Sequence, residues 1–146
     1  MSKVAQKYLQ VDPWQVVEKG FHKRQSLVSE SIFSVGNEFM GVRGYFEEGY
    51  SKESMLGSYF NGVFEYTGEI FQPFKGPVTR SHFIINSLDW LFTRMTLDGE
   101  PLDLATATVS GFKRVLDLRA GTMTRSFTWT TDTGKKLKLS FQRFTS

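Results

Sequence analysis

The stretch "VSGFKRVLDLRAGTMTRSFTWTTDTGKKLKLSFQRF", residues 109–144, decides the fold class. Between residues 122 and 129, a threonine or serine stands at every second position, with a larger side chain at the positions between. Residues 136–141 alternate in the same way between lysine or serine and leucine or phenylalanine. A period of two predicts antiparallel strands with one face in water. Thr131–Gly134 has the composition of the turn that joins the last two strands.

Further strands are predicted along the rest of the chain. Residues 14–21 form a short strand, and residues 28–35 and 39–46 form two strands on either side of a hairpin at Gly36-Asn37-Glu38. Residues 47–81 are rich in glycine and predict long loops with one short strand at residues 59–66.

Residues 82–97 again have strand character, and Asp98-Gly99 between two apolar runs predicts a tight hairpin. No long helical period is present. The sequence therefore predicts a mainly β protein, an antiparallel β-sandwich.

Length and composition exclude several classes of function. The chain has 146 residues, which suits one domain, and no cysteine, which excludes disulfides and thiolate sites. Its net charge is +3, and its cations are spread along the chain apart from Lys135, Lys136 and Lys138, whereas a nucleic-acid site needs a clustered basic face. No signal peptide or membrane span is recognisable, so neither nucleic acid nor a membrane is an expected partner, and a cytoplasmic location is expected.

The carboxylates and histidines do not predict a catalytic centre or a metal centre. Glu47 and Glu48 are adjacent, so on a strand they would point to opposite faces and could not form the facing pair of a glycosidase. His22 and His82 lack partners at metal-ligand spacing, and no serine stands in a nucleophile elbow. The other acidic candidates are interpreted as solvated surface groups: Glu38, Glu65, Glu69 and Asp89.

The segment 39–46 suggests a binding face. On a strand, Phe39, Gly41, Arg43 and Tyr45 share one side, and the apolar side chains at the alternate positions belong in a core. Aromatic rings around a glycine gap, with one arginine, suit contact with a sugar. The alternative is that Arg43 pairs with an acid and that the rings pack on another domain.

Several motifs in order resemble one enzyme family. They are "ESIFSVGNEFMGVRGYFEEGYS" at residues 30–51, "GSYFNGVFE" at 57–65, "LDGEPLDL" at 97–104, "RVLDLRAGTMTRSFTW" at 114–129 and "QRFTS" at 142–146. Together they resemble the N-terminal part of the α-glucoside phosphorylases of glycoside hydrolase family 65, the maltose, kojibiose, nigerose and trehalose phosphorylase type. The chain departs from the family pattern at Glu38, where a glycine is usual.

The resemblance implies that residues 1–146 are the front part of an N-terminal β-sandwich domain, without the catalytic (α/α)6 barrel of the family. This interpretation agrees with a chain that ends on a strand pattern, although a final edge strand explains that ending equally well. The chain alone would be non-catalytic and would brace the barrel and its dimer. The whole enzyme would convert an α-linked glucose disaccharide to β-glucose 1-phosphate by inverting phosphorolysis, with inorganic phosphate as co-substrate and no other cofactor.

Five residues in the matching motifs become candidates for the rim of a sugar site or for a domain interface: Asn37, Phe39, Arg43, Tyr45 and Asn61. No catalytic residue and no metal ligand is expected within the chain. Two other possibilities stay open, a stand-alone carbohydrate-binding module and a domain of a family 65 hydrolase.

Overall fold

The structure is a computed structural model that describes residues 8–67, 70–72, 76–78 and 81–146. Most of the regular elements are strands. In chain order they are β1 (Leu9–Val11), β2 (Gln15–Lys19), α1 (Ser26–Ile32), β3 (Val35–Gly36), β4 (Met40–Val42), β5 (Ser58–Thr67), β6 (Ile70–Gln72), β7 (Gly76–Val78), β8 (Ser81–Asn86), β9 (Thr96–Leu97), β10 (Glu100–Pro101), β11 (Thr108–Asp117), β12 (Thr122–Thr130) and β13 (Lys136–Phe144). In these ranges no helix is long and apolar enough to cross a membrane.

The five-stranded sheet contains the strands predicted from the alternating stretch. Its order is β1-β2-β11-β12-β13, and every neighbouring pair is antiparallel. Along β12 the larger side chains are buried while the threonines and Ser126 are half-buried. The predicted period and its inward face are therefore confirmed, and so is the turn at residues 131–134.

The second sheet has the order β3-β4-β5-β8 and contains the predicted hairpin at Asn37. Strand β5 is longer than the short strand expected there, and β6 pairs with β7 where only loops were expected. The strand character of residues 82–97 persists only to Asn86, and residues 87–95 are irregular. Asp98 and Gly99 both have positive φ, 53° and 82°, as a two-residue type I′ hairpin requires.

The prediction of a strand at residues 28–35 is wrong, because α1 occupies residues 26–32. Tertiary contacts explain the helix. The buried Glu30 carboxylate accepts hydrogen bonds from Ser54 Oγ at 3.0 Å and Met55 N at 2.6 Å, and its carbonyl oxygen accepts one from Gly44 N at 2.7 Å. Such contacts override the modest strand preference of the β-branched residues.

The predicted strand at residues 39–46 is only partly correct, because β4 ends at Val42. Beyond that point the amides leave the ladder, since Arg43 N donates to Gly57 O and Gly44 N donates to Glu30 O. The strict alternation of faces therefore stops at residue 42.

Two hydrophobic clusters form the core on the inner face of the five-stranded sheet. One gathers Phe46, Leu102, Leu104, Phe112, Phe127 and Trp129, and the other gathers Tyr8, Leu9, Phe33, Val35 and Met123. The second cluster joins the sheets, because Val35 comes from β3 and Met123 from β12. The predicted class, a mainly β antiparallel sandwich, is confirmed.

Candidate functional site

Three buried arginines lie where an apolar core is expected, and we call Arg114, Arg125 and Arg143 the arginine clamp. They come from the neighbouring strands β11, β12 and β13, and Arg114 is directly opposite Arg125 in the ladder. Aromatic rings lie against the guanidinium groups. Arg114 Cζ is 4.8 Å from the centroid of the Phe46 ring, and Arg125 Cζ is 4.8 Å from the centroid of the Phe141 ring. The clamp separates the two hydrophobic clusters, because Arg125 stands between Met123 and Phe127 on one strand.

The expectation that Glu47 and Glu48 point to opposite faces is wrong. Both carboxylates pair with Arg125, with Glu47 Oε2 at 3.0 Å from Arg125 Nη2, and Glu47 also pairs with Arg143. The reason is local geometry: residues 47 and 48 form a turn, so the alternation of a strand does not apply. Arg125, Arg143, Glu47 and Glu48 thus form an internal ionic cluster, in which each buried charge has at least one partner of opposite sign.

The arginine clamp also holds backbone carbonyls. Arg114 Nη1 donates to Gly44 O at 3.0 Å, while Arg143 donates from Nη1 to Arg43 O and from Nη2 to Tyr45 O, both at 2.7 Å. Gly44 is required here, because a Cβ at this position would lie 2.6 Å from Phe33 O. The segment 43–48 is therefore fixed on the sheet by charge-assisted hydrogen bonds, and not by strand pairing.

Burial and ion pairing act against each other on the carboxyl pKa values. Burial alone would raise the pKa of Glu47, but attraction to Arg125 and Arg143 outweighs it, so the pKa lies below its usual value. Burial dominates at Glu48 and raises its pKa despite Arg125. Burial likewise raises the pKa of Glu18, whose Oε2 lies 3.2 Å from Arg114 Nε in a geometry too bent for a hydrogen bond.

Tyr45 does not share an exposed face with Phe39 and Arg43, so that expectation is wrong. Its ring is 1 % exposed and lies under the Arg143 guanidinium, and its hydroxyl donates to Asp89 Oδ1 at 2.6 Å. Burial and the Asp89 carboxylate raise the pKa of the Tyr45 phenol. Asp89 is exposed, as expected for a surface acid, and its hydrogen bond with Tyr45 also connects the segment 87–92 to the core.

Arg43 is half-buried and donates to Ser31 Oγ and to Met55 Sδ. In the described part of the chain it makes no ion pair, so the expected acid partner is not found there.

Three of the five candidate residues line one open cavity of about 420 Å³, which we call the hairpin cavity: Asn37, Phe39 and Asn61. Asn37 Oδ1 accepts from the amides of Phe39 and Met40, both at 2.9 Å, and Asn61 Nδ2 donates to Glu38 O at 3.1 Å. Both asparagine side chains thus shape the hairpin. The Phe39 ring, which is 67 % exposed, stands free above them.

A second cavity, of about 230 Å³, was not predicted. We call it the aromatic cavity, and it is lined by Phe46, Gly49, Tyr50, Lys52, Ser54, Leu56, Asp89 and Phe92. No sequence motif indicates this cavity, because its lining residues come from segments that are remote along the chain.

Strands β5 and β8 expose apolar side chains on both faces. The exposed residues of β8 are consecutive, Phe83, Ile84 and Ile85, so they must point to opposite sides of the sheet. Phe64 and Tyr66 on β5 are exposed as well. Contiguous apolar surface of this kind is typical of interaction sites.

The described residues form no cluster of potential metal ligands, and neither of the two named cavities holds a facing pair of carboxylates. No group of three or more potential metal ligands comes together in those ranges. The hairpin cavity and the aromatic cavity carry one carboxylate each, Glu38 and Asp89, whereas glycoside hydrolysis uses a facing pair. Glu69 lies outside the described residues.

Comparison with known proteins gives the same family by sequence and by structure. The family model described as "Glycosyl hydrolase family 65, N-terminal domain" matches residues 16–146. The chain is 30 % identical to the alpha,alpha-trehalose phosphorylase of Thermoanaerobacter brockii over 92 % of this chain and 18 % of that protein. It is 32 % identical to the maltose phosphorylase of Bacillus subtilis over 84 % of this chain and 16 % of that protein.

A solved structure described as a putative kojibiose phosphorylase from human microbiome superposes with a TM-score of 0.78 at 44 % identity. The match covers 91 % of this chain and 18 % of that one. The chain therefore spans less than a fifth of the length of these relatives. Because the family model matches nearly the whole chain, the chain belongs to glycosyl hydrolase family 65 as a representative of its N-terminal domain.

Proposed function

We propose that the chain serves as a non-catalytic N-terminal domain in an α-glucoside phosphorylase, docked through strands β5 and β8 on the remainder of the enzyme. The observation that carries the proposal is the family match over residues 16–146, together with relatives of which the chain spans less than a fifth. The exposed apolar faces of β5 and β8 supply a docking surface of suitable chemistry.

The chemistry would belong to the larger protein. A catalytic acid there protonates the glycosidic oxygen of an α-linked glucose disaccharide while inorganic phosphate attacks the anomeric carbon, which gives β-glucose 1-phosphate. A family 65 hydrolase, with water in place of phosphate, is the alternative reaction. We extend the proposal to a cytoplasmic homodimer in which this domain braces the catalytic barrel.

Docking can be tested with the part of the 44 % identical kojibiose phosphorylase-like protein that this chain does not match. That part and the chain are mixed, and binding is measured by analytical ultracentrifugation. We expect a complex that Phe64→Ser weakens at least about tenfold, since a buried aromatic anchor contributes a few kcal/mol at an interface.

Trp14→Ser is the matched control, because Trp14 is 53 % exposed and Phe64 50 %, and Trp14 lies beside the other sheet. A Phe64→Ser chain that binds as well as the original contradicts the proposed docking face. Formation of glucose 1-phosphate from maltose, kojibiose or trehalose and phosphate by the chain alone contradicts the non-catalytic role.

The hairpin cavity supports a second candidate, a carbohydrate-binding module. The supporting observation is the exposed Phe39 ring beside Asn37 and Asn61 in one open cavity. Calorimetric titration of the chain with maltose, kojibiose and trehalose tests it. Phe39→Ala abolishes millimolar binding if the module is real, and Arg43→Ala tests whether the predicted arginine takes part although it does not line the cavity. Absence of heat with all three sugars excludes this candidate.

A further inference from the structure

The aromatic cavity adjoins a basic one. The basic cavity has about 240 Å³ and is lined by Lys23, Arg24, Ser26, Leu27, Tyr50, Lys52 and Glu53. Tyr50 and Lys52 line both cavities, so the two cavities adjoin along these side chains, and we call the pair the groove; it lies between the start of α1 and the segment 87–92. The groove therefore has an acidic, aromatic end and a cationic end.

The aromatic end can hold a ring that carries hydroxyl groups. Phe92 is exposed above it, and Asp89 contributes a carboxylate whose Oδ1 accepts from the Tyr45 hydroxyl and the Leu91 amide. No described residue donates to Asp89 Oδ2, so that oxygen can accept a hydrogen bond from a ligand hydroxyl. An apolar wall with a few convergent polar atoms is the usual form of a small-molecule site.

The basic end can hold an anion. Lys23 donates to Ala105 O at 2.7 Å and lies near Asp103, which leaves Arg24 and Lys52 as the cations available to a ligand. In the described ranges neither Arg24 nor Lys52 takes part in an ion pair. An arginine fork with a lysine nearby is a combination that recognises phosphate.

We propose that the groove binds a phosphorylated hexose, with the sugar ring against Phe92 and Asp89 and the phosphate against Arg24 and Lys52. Each cavity is smaller than the roughly 300–1,000 Å³ of sites for drug-sized ligands, which fits one ring in one and one phosphate group in the other. The binding site uses only residues of this chain, involves no chemical step, and is separate from the hairpin cavity and from the docking face on β5 and β8.

Two-dimensional NMR titration at low ionic strength tests the site, with glucose 6-phosphate, glucose and inorganic phosphate as separate probes. We expect shifts at Tyr50 and Phe92 with glucose 6-phosphate, and an affinity at least about tenfold above that of either smaller probe, since one ligand joins two weak contacts. Salt weakens the binding because the phosphate contacts are exposed. Equal affinity for glucose 6-phosphate and inorganic phosphate overturns the proposal, and so do shifts confined to the hairpin cavity.

Two variants test the two ends of the groove separately. Asp89→Asn keeps an oxygen for the Tyr45 hydroxyl but removes the carboxylate charge, and Lys52→Met removes the cation that both cavities share. Each is expected to weaken glucose 6-phosphate binding at least about tenfold. Lys138→Met is the matched control, since Lys138 is exposed on β13 and its loss changes the net charge equally.

Urea unfolding checks that each variant is folded. A Lys138→Met effect as large as that of Lys52→Met overturns the proposal in favour of nonspecific charge attraction. The readout is ligand binding to this chain, so its failure leaves the proposed docking function untouched.

Discussion

The two sheets of this protein distribute polar and apolar side chains in opposite ways. The inner face of the five-stranded sheet buries the three cations of the arginine clamp together with Glu18, Glu47 and Glu48. The sheet of β3, β4, β5 and β8 leaves phenylalanine, isoleucine and tyrosine side chains in water. In the first region the buried charges are paired with one another within the chain. The second keeps its apolar side chains exposed, and the proposed docking would cover them.

The largest expected effect comes from breaking the ionic cluster. Arg125→Met leaves Glu48 without a cation and Glu47 with only Arg143, and we expect a loss of about 3–5 kcal/mol in the free energy of unfolding. Urea unfolding followed by circular dichroism measures it. Arg119→Met, which removes an exposed contact with the Trp14 ring and a weak attraction to Asp117, should cost no more than about 1 kcal/mol. Equal losses for the two variants would show that the cluster is not a special determinant of stability.

A smaller effect is expected where the segment 43–48 meets α1. Gly44→Ala places a methyl group against Phe33 O, and the resulting shift should cost about 1–3 kcal/mol. Gly41→Ala is the control, because a Cβ there meets nothing within 4 Å. The same unfolding measurement applies, and a neutral Gly44→Ala would mean that the segment can move away from the helix without loss.

The pH dependence of stability tests the opposite pKa shifts of Glu47 and Glu48 in the ionic cluster. The pKa of Glu47 is lowered in the folded state, so the unfolded chain takes up the proton first and stability falls as pH drops below about 4.5. Glu47→Gln should flatten this acid limb in unfolding experiments at a series of pH values. The pKa of Glu48 is raised in the folded state, so Glu48 acts in the opposite direction. Its contribution to the free energy of unfolding is present at low pH and is lost as pH rises through the pKa of the folded state. Glu48→Gln should therefore steepen the acid limb, and a flattened limb would reverse the two assignments.

The smallest effect on stability is expected in the exposed sheet. Phe64→Ser should change the free energy of unfolding by no more than about 0.5 kcal/mol, since the side chain is already half in water. The same variant should reduce any concentration-dependent association, which size-exclusion chromatography with light scattering detects. A large loss of stability would show that this sheet is part of the closed core, and the contrast between the two sheets would disappear.

Pattern alone predicted those parts of the fold that depend on local chemistry. The alternation in β12, the turn at residues 131–134 and the Asp98-Gly99 hairpin each follow from a few neighbouring residues. The errors have distant causes. Helix α1 depends on Glu30 reaching Ser54 and Met55, and the pairing of Glu47 and Glu48 with one arginine depends on a turn that only the packed sheet fixes.

For the candidate site, the structure reports where the five residues lie, and their role stays a prediction. Asn37, Phe39 and Asn61 meet in one cavity because a hairpin and its neighbouring strand bring them together. Tyr45 was misplaced because the strand ends at Val42, three residues earlier. The groove formed by the aromatic and basic cavities could not be predicted, since it joins segments that are remote along the chain and have no shared motif.

The three tryptophans lie in three different environments, so their intrinsic fluorescence can report on different parts of the chain. Trp129 is fully buried with its indole nitrogen unpaired among the described groups, so it should emit in the blue and resist iodide quenching. Trp14 lies in water beside Arg119, and Trp90 lines a small cavity together with Phe144. A partner that covers the Trp90 side should therefore shift and protect only part of the emission, which lets fluorescence locate a contact without a label.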